Sequence, residues 1–244
     1  MNQINLPPIV KNLLIINVLF FAATYVVQSK GIDLATYLGA YYFDAPNFMI
    51  WQPITYMFMH GGFTHILFNM FALYMFGSIL ETRWGSKRFI NFYLITGLGA
   101  LALQWAVQAF EVYQITGSAI NQGTIPLQAL ADGMYNPALL TESQASILHG
   151  IYFAPMVGAS GAIFGLLVAF GMLYPNTELY IMFIPVPVKA KYIIPVYIVL
   201  ELFLGVASFQ GDSVAHYAHL GGALLGFILV KLWKDKNTYY DYYE

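Results

Sequence analysis

The sequence predicts an all-α membrane protein, a bundle of six transmembrane helices, and three observations carry that expectation. Apolar residues make up 59% of the 244 and charged residues only 9%, with a mean hydropathy of +0.64. A soluble domain carries about a quarter charged residues, so this chain is built for lipid. Six stretches are long and apolar enough to span a bilayer, at 13–27, 65–80, 89–110, 151–174, 192–209 and 214–233. Six spans also sort the basic residues: Lys11, Arg83, Lys87, Arg88, Lys189, Lys191, Lys231, Lys234 and Lys236 fall on one side and Lys30 alone on the other. That asymmetry puts both termini in the cytoplasm.

Composition also excludes several classes. The absence of Cys rules out disulfides, thiolate catalysis and Cys-based metal sites. A net charge of −2 offers no electrostatic footprint for nucleic acid.

Taken in order, the first span has no small-residue cleavage site after it and reads as a retained helix, not a removable signal peptide. The connection 29–64 contains Tyr41, Tyr42, Phe43, Phe48, Trp51 and Phe58, a content suited to a partly embedded loop at the headgroups. The second span brings His65 and Asn69. Between the third and fourth spans, 111–150 is mixed in polarity, with Pro126, Asn136-Pro137 and a helix start at Thr141 that Gln144 completes as a capping box. The exterior side collects Asp33, Asp44, Glu111, Asp132, Glu142 and Asp212. Ser160 lies in the fourth span, Glu201 in the fifth and His219 in the sixth. Interior connections are short, the Tyr-rich end 239–243 reads as solvated or interfacial, and 1–244 reads as a single domain.

A hydroxyl and an imidazole in hydrocarbon are costly without polar partners, so Ser160 and His219 point to function. Ser160 stands 14 residues before Tyr174, His219 14 before Trp233 and His65 16 before Glu81. At about 1.5 Å per residue these groups lie roughly 21 to 24 Å from the cytoplasmic ends of their helices. In a hydrocarbon core about 30 Å thick they share one level, roughly 6 to 9 Å below the exterior surface. Gly161 and Gly165 on the fourth span, and Gly222 and Gly226 on the sixth, form small-xxx-small faces that allow close helix approach. Such packing can bring the Ser160 hydroxyl within reach of His219 as general base. His65 and Asn69, four apart on one helix face, and the Ser160 amide supply donors for an oxyanion.

These residues carry a resemblance. Gly158-Ala159-Ser160-Gly161 with Phe164 and Gly165 behind it, Ala218-His219-x-x-Gly222-x-x-x-Gly226, His65-Ile66-Leu67-Phe68-Asn69, Glu81-x-Arg83-x-Gly85 and Trp51 together resemble the rhomboid intramembrane serine proteases. The resemblance implies Ser160 as nucleophile, His219 as base, and His65, Asn69 and the Ser160 amide as oxyanion hole. It implies transmembrane protein substrates, the lipid bilayer as partner, no cofactor, no metal and no nucleic acid, and residence in a bacterial inner membrane. Gln52 stands where some members have Arg, and Phe164 where some have Tyr stacked on the catalytic His.

No third catalytic member is expected. Asp212 is seven residues from His219, about 10 Å along a helix, and no spacing aims Glu201 at the ring. Glu201 reads as a buried structural hydrogen bond or as lining a watery cavity. Taken singly, the other residues have plainer readings: Ser160 in a packing motif, Asn69 as helix glue, Glu81 with Arg83 as a structural polar cluster, His60 and His149 as loop residues. His216, three before His219, lacks a third ligand or a His-Glu-x-x-His pattern, which disfavours zinc. Intramembrane aspartyl chemistry lacks its two Asp residues, and the Gly-x-Ser-x-Gly elbow of soluble hydrolases is absent. A transporter is disfavoured by charges at helix ends and no evident inverted repeat. The nearer rival is a catalytically inactive relative that binds membrane clients.

Overall fold

The computed structural model describes residues 6–180, 186–207 and 215–233. Among the described residues, four helices are long and apolar enough to cross a membrane: α1 (Pro8–Gln28), α2 (Phe63–Trp84, with a π-type turn at Leu73–Gly77), α3 (Ser86–Thr116) and α6 (Ala190–Ala207). Two shorter apolar helices, α5 (Ser160–Leu173) and α7 (His216–Leu232), complete the bundle, and α4 (Glu142–Phe153) lies outside it in sequence between α3 and α5. Exposed apolar side chains such as Leu19 and Val26 on α1, Leu67 and Phe71 on α2, and Val199 and Phe203 on α6 give the bundle an outer surface suited to lipid. The chain is therefore an integral, multi-pass membrane protein.

The expected fourth span, 151–174, is corrected. It is two helices, α4 and α5, separated by residues 154–159, which belong to neither. Pro155 has no amide hydrogen and pushes the residue before it out of helical geometry, and Ala154 accordingly sits at φ −100, ψ 113. Gly158 then takes φ 135, which a side chain would resist. Hydropathy is blind to both effects, since every residue of the break is apolar or small. Non-helical backbone at membrane depth is tolerated only where protein satisfies it. Here Met156 pairs with Ala40 in a short antiparallel bridge (2.8 and 2.9 Å), and the Gly158 amide donates to the Tyr56 carbonyl at 2.9 Å. Tyr56 in turn donates its hydroxyl to the Gly97 carbonyl of α3 at 2.7 Å.

Two further boundaries differ from expectation. α3 runs for 31 residues, about 46 Å, so it projects beyond the hydrocarbon and takes in Glu111, expected in a loop. The connection from α5 to α6 carries a two-stranded antiparallel pair, β1 (Glu178–Tyr180) and β2 (Pro187–Lys189), with Glu178 opposite Lys189.

The centre of the bundle is a sandwich of α3, α5 and α7. A Cβ at Gly222 would overlap the Gly161 carbonyl, and one at Gly226 would stand 2.7 Å from the Gly165 Cα, so α7 meets α5 backbone to backbone. The missing side chains of Gly161 and Gly165 themselves face Ala100 and Thr96 of α3. Without a hydrophobic drive between helices in lipid, such close van der Waals contact is the main source of cohesion. Glu81 of α2 closes another joint: its carboxylate accepts the Ile9 and Val10 amides at 3.0 and 2.8 Å and the Ser86 hydroxyl at 2.6 Å. These amides belong to the first turn of α1, where no intrahelical acceptor exists and the helix dipole favours a negative charge. Glu81 is thus structural, with partners other than Arg83, whose guanidinium lies 5.3 Å from the Tyr174 ring centre.

The connections 29–62 and 117–141 pack on one another and on α4 as a cap. Tyr41, Tyr42, Val112, Ile125, Leu130, Leu148 and Tyr152 form its core. Asp44 accepts from the Asn121 amide at 2.6 Å and the Tyr152 hydroxyl at 3.1 Å, tying the first connection to the second and to α4. Burial and the nearby Asp44 push the Tyr42 hydroxyl up to about 12, so it stays a donor, bonded to the Ala119 carbonyl at 2.6 Å. α4 opens with the expected capping box between Thr141 and Gln144. A cavity of about 120 Å³ lined by Ile115, Ile125, Leu130 and Leu140 lies within this cap and shares no residue with the site described next.

Candidate active site

The break at 154–159 makes Ser160 the first residue of α5. The early amides of a helix lack intrahelical acceptors, so the Ser160 N–H is available to another oxygen. Its hydroxyl, half-buried, is 2.8 Å from Nε2 of His219 on α7. Gly161 and Gly222, in backbone contact one residue after Ser160 and three after His219, set that separation. Phe164, one turn beyond Ser160, stacks flat on the His219 ring, with centroids 4.3 Å apart and planes 9° apart. Tyr197 of α6 packs on the other ring, Phe164, at 5.0 Å.

The other edge of His219 meets an acid. Nδ1 of His219 is 2.9 Å from Oε2 of Glu201, and the same oxygen is 2.7 Å from Nδ1 of His216. Glu201 is 4% exposed, and both histidines are buried. The expectation that no acid reaches His219 is therefore corrected. With its Nδ1–H donated to the carboxylate, a neutral His219 keeps a lone pair on Nε2, which accepts the Ser160 proton. The signal available in the sequence was the cost of an isolated carboxylate inside a span, which demands partners, together with two histidines three apart on the following helix. Asp212 lies outside the described residues.

Glu201, His216 and His219 offer donor atoms within 4.8 Å of one another, a set that can hold a divalent ion. The separations of 2.7 and 2.9 Å are those of N–H···O bonds. Donors about 2.0 Å from a tetrahedral zinc stand about 3.3 Å apart, so the cluster would have to open to admit one.

The two other candidates, His65 and Asn69, lie on α2. The Gly61 amide donates to His65 Nδ1 at 3.4 Å, a long bond that leaves the ring proton on Nε2. A Cβ at Gly158 would stand 2.9 Å from that Nε2 and 3.4 Å from the Ser160 hydroxyl, so the two groups flank the space a side chain would fill. Asn69 is 6% exposed, and its Nδ2 has no acceptor among the described residues. His60, read from sequence as a loop residue, is buried with its ring 5.0 Å from His65. Burial and then His65 push its pKa down to about 4, leaving it neutral at neutral pH. His149 is exposed on α4, against Phe153. Gln52, buried beneath the half-exposed Trp51, accepts from Met49 at 3.1 Å and donates to the Asn47 carbonyl at 2.9 Å, holding the first connection in shape.

The arrangement places a hydroxyl against an imidazole, an acid behind that imidazole, and a His65 nitrogen beside the space left open at Gly158. Comparison with known proteins gives the same picture of kinship. The family model described as the Rhomboid domain matches residues 47–234. An uncharacterised mitochondrial rhomboid protein of Schizosaccharomyces pombe is 28% identical over 210 residues, 78% of this chain and 53% of that protein. The chloroplastic Rhomboid-like protein 11 of Arabidopsis thaliana is 28% identical over 229 residues, 90% of this chain and 63% of its own length. The rhomboid protease AarA of Providencia stuartii is 28% identical over 193 residues, 73% of this chain and 54% of that protein. The chain thus spans between half and two-thirds of the length of these relatives.

Proposed function

The chain belongs to the rhomboid family, and on that premise we propose that it is an intramembrane serine endopeptidase cutting membrane-anchored proteins near the exterior end of their spans. The observation that carries the reading is the 2.8 Å contact between the Ser160 hydroxyl and His219 Nε2, under the flat face of Phe164. A nucleophile within hydrogen-bond reach of an oriented base is what acyl transfer requires. In the proposed course His219 takes the Ser160 proton as Oγ attacks the scissile carbonyl. His65 Nε2–H, Asn69 Nδ2–H and the Ser160 amide receive the developing oxyanion. His219 then gives the proton to the leaving amine, and water releases the acyl-enzyme by the same route. Donors waiting before charge develops are worth most where water is scarce. That one relative bears the name of a protease supports the reaction class.

The distribution of Lys and Arg supports an orientation with both termini in the cytoplasm and the site toward the exterior, as in a bacterial inner membrane. The test uses a serine-directed fluorophosphonate probe together with a transmembrane substrate in liposomes. Labelling and cleavage are both expected, and both should vanish in Ser160→Ala while the melting temperature holds. Ser160→Ala, His219→Ala and the double change should lose activity to the same floor, since the two groups act as a unit. A folded protein that neither labels nor cleaves would instead favour an inactive client-binding relative.

A further inference from the structure

We infer that Glu201 is a positioning residue for the reaction, so that the working unit is Ser160–His219–Glu201, with His216 holding the carboxylate in place. The inference rests on the reading of Ser160 and His219 as nucleophile and base. Its grounds are geometric. One carboxylate oxygen lies 2.9 Å from Nδ1 of His219 and 2.7 Å from Nδ1 of His216, and the acid is 4% exposed. A carboxylate buried this deeply is stable only when paired and hydrogen-bonded. A tie between α6 and α7 would need His216 alone. The second bond, to the ring that touches Ser160, has a chemical consequence that a tie lacks.

A neutral imidazole has one N–H and one lone pair, and the two tautomers are close in energy in water. Glu201 accepts only, so it fixes the proton on Nδ1 and the lone pair on Nε2, facing Ser160. When the hydroxyl proton passes to Nε2, the Oγ electron pair forms the bond to the carbonyl carbon, and the carbonyl π pair moves to its oxygen. The ring becomes an imidazolium directly beside the carboxylate, which stays ionised throughout. The Nε2 proton next goes to the leaving nitrogen as its bond to carbon breaks, and the ring is neutral again. His216 donates to the same oxygen without taking part in the transfer, so its task is to keep the carboxylate from swinging away from His219. Phe164 on the ring face and Tyr197 behind Phe164 complete the fixation, leaving the imidazole held at both nitrogens and on one side.

The test compares the full chain with Glu201→Gln, an isosteric change, in liposomes with a transmembrane substrate. Removing the orienting acid of a serine–histidine pair costs on the order of ten-thousandfold in a soluble protease, and here kcat should fall by at least tenfold with KM within threefold of the parent. In a His219→Ala background the same change should cost nothing further, because Glu201 acts through that ring. A loss under tenfold in a folded Glu201→Gln protein, or a full additional loss in the His219→Ala background, would overturn the inference. If Glu201→Gln does not fold, the parent protein still decides. Histidine 15N NMR, with His219 assigned from the His219→Ala spectrum, should find the ring protonated at Nδ1 alone, and protonation at Nε2 alone would refute the role. Should Ser160→Ala retain cleavage, the underlying reading fails instead, which is a different result.

Discussion

A buried amide nitrogen without an acceptor costs about 1 to 3 kcal/mol, so Asn69 is held against a penalty that packing alone does not explain. If its Nδ2–H serves the oxyanion, Asn69→Ala should lower kcat about tenfold to a thousandfold with KM nearly unchanged. The melting temperature, measured on the same preparation, should move by only a few degrees. A stably folded variant with undiminished kcat would take Asn69 out of the oxyanion site and leave His65 and the Ser160 amide. At this scale a polar side chain that interrupts an apolar span is legible as a candidate, as Ser160, His219, His65 and Asn69 were, and the structure brings Ser160 and His219 into contact. Glu201 interrupts a span just as plainly. Its aim was hidden, because the rotation of α6 about its axis and its placement against α7 come from tertiary packing, and no spacing within one helix encodes them. The burial of His60 was equally invisible from its place in a connection.

Between elements, the contact to test is the one where α7 meets α5. The Gly222 position admits no Cβ against the Gly161 carbonyl, so Gly222→Val must move one helix bodily. Both activity and melting temperature should drop, activity the more steeply, since a displacement of about 1 Å at a positioned pair can cost a hundredfold. Native melting with full turnover would mean that the two backbones are not in contact. The small-residue spacing announced this face, although not that Gly161 and Gly165 turn their open sides to Ala100 and Thr96 of α3. The spans themselves followed from hydropathy. The break at 154–159 did not, because Ala154, Pro155 and Met156 are as apolar as a helix interior and only the backbone of Pro155 and Gly158 forbids continuation. The β1–β2 pair escaped for a similar reason: three-residue strands are too short for alternation to register.

Over the whole molecule, the cap draws the two connections and α4 together, and Asp44 is the residue whose loss parts them most directly. Asp44→Ala strands the Asn121 amide and the Tyr152 hydroxyl, so the connection 117–141 should loosen. Limited proteolysis read by mass spectrometry should show severalfold faster cutting there, with the bundle's melting little altered; an unchanged pattern would assign the cap's cohesion to its apolar core instead. The cap's existence was only half legible, since aromatic content foretold a surface-seeking first connection while the union of the two connections depends on contacts more than 70 residues apart. One consequence follows from the burial of α5, none of whose fourteen residues is exposed. A helix apolar on all sides and packed against α2, α3, α6 and α7 presents little of its flank to solvent or lipid. The proposed hydrolysis consumes a water molecule each turnover, and the Ser160 end of α5 is where that water is needed. Supply of that second reactant along the axis of α5, by way of the space at Gly158, is then as much a part of the proposed reaction as the chemistry of serine.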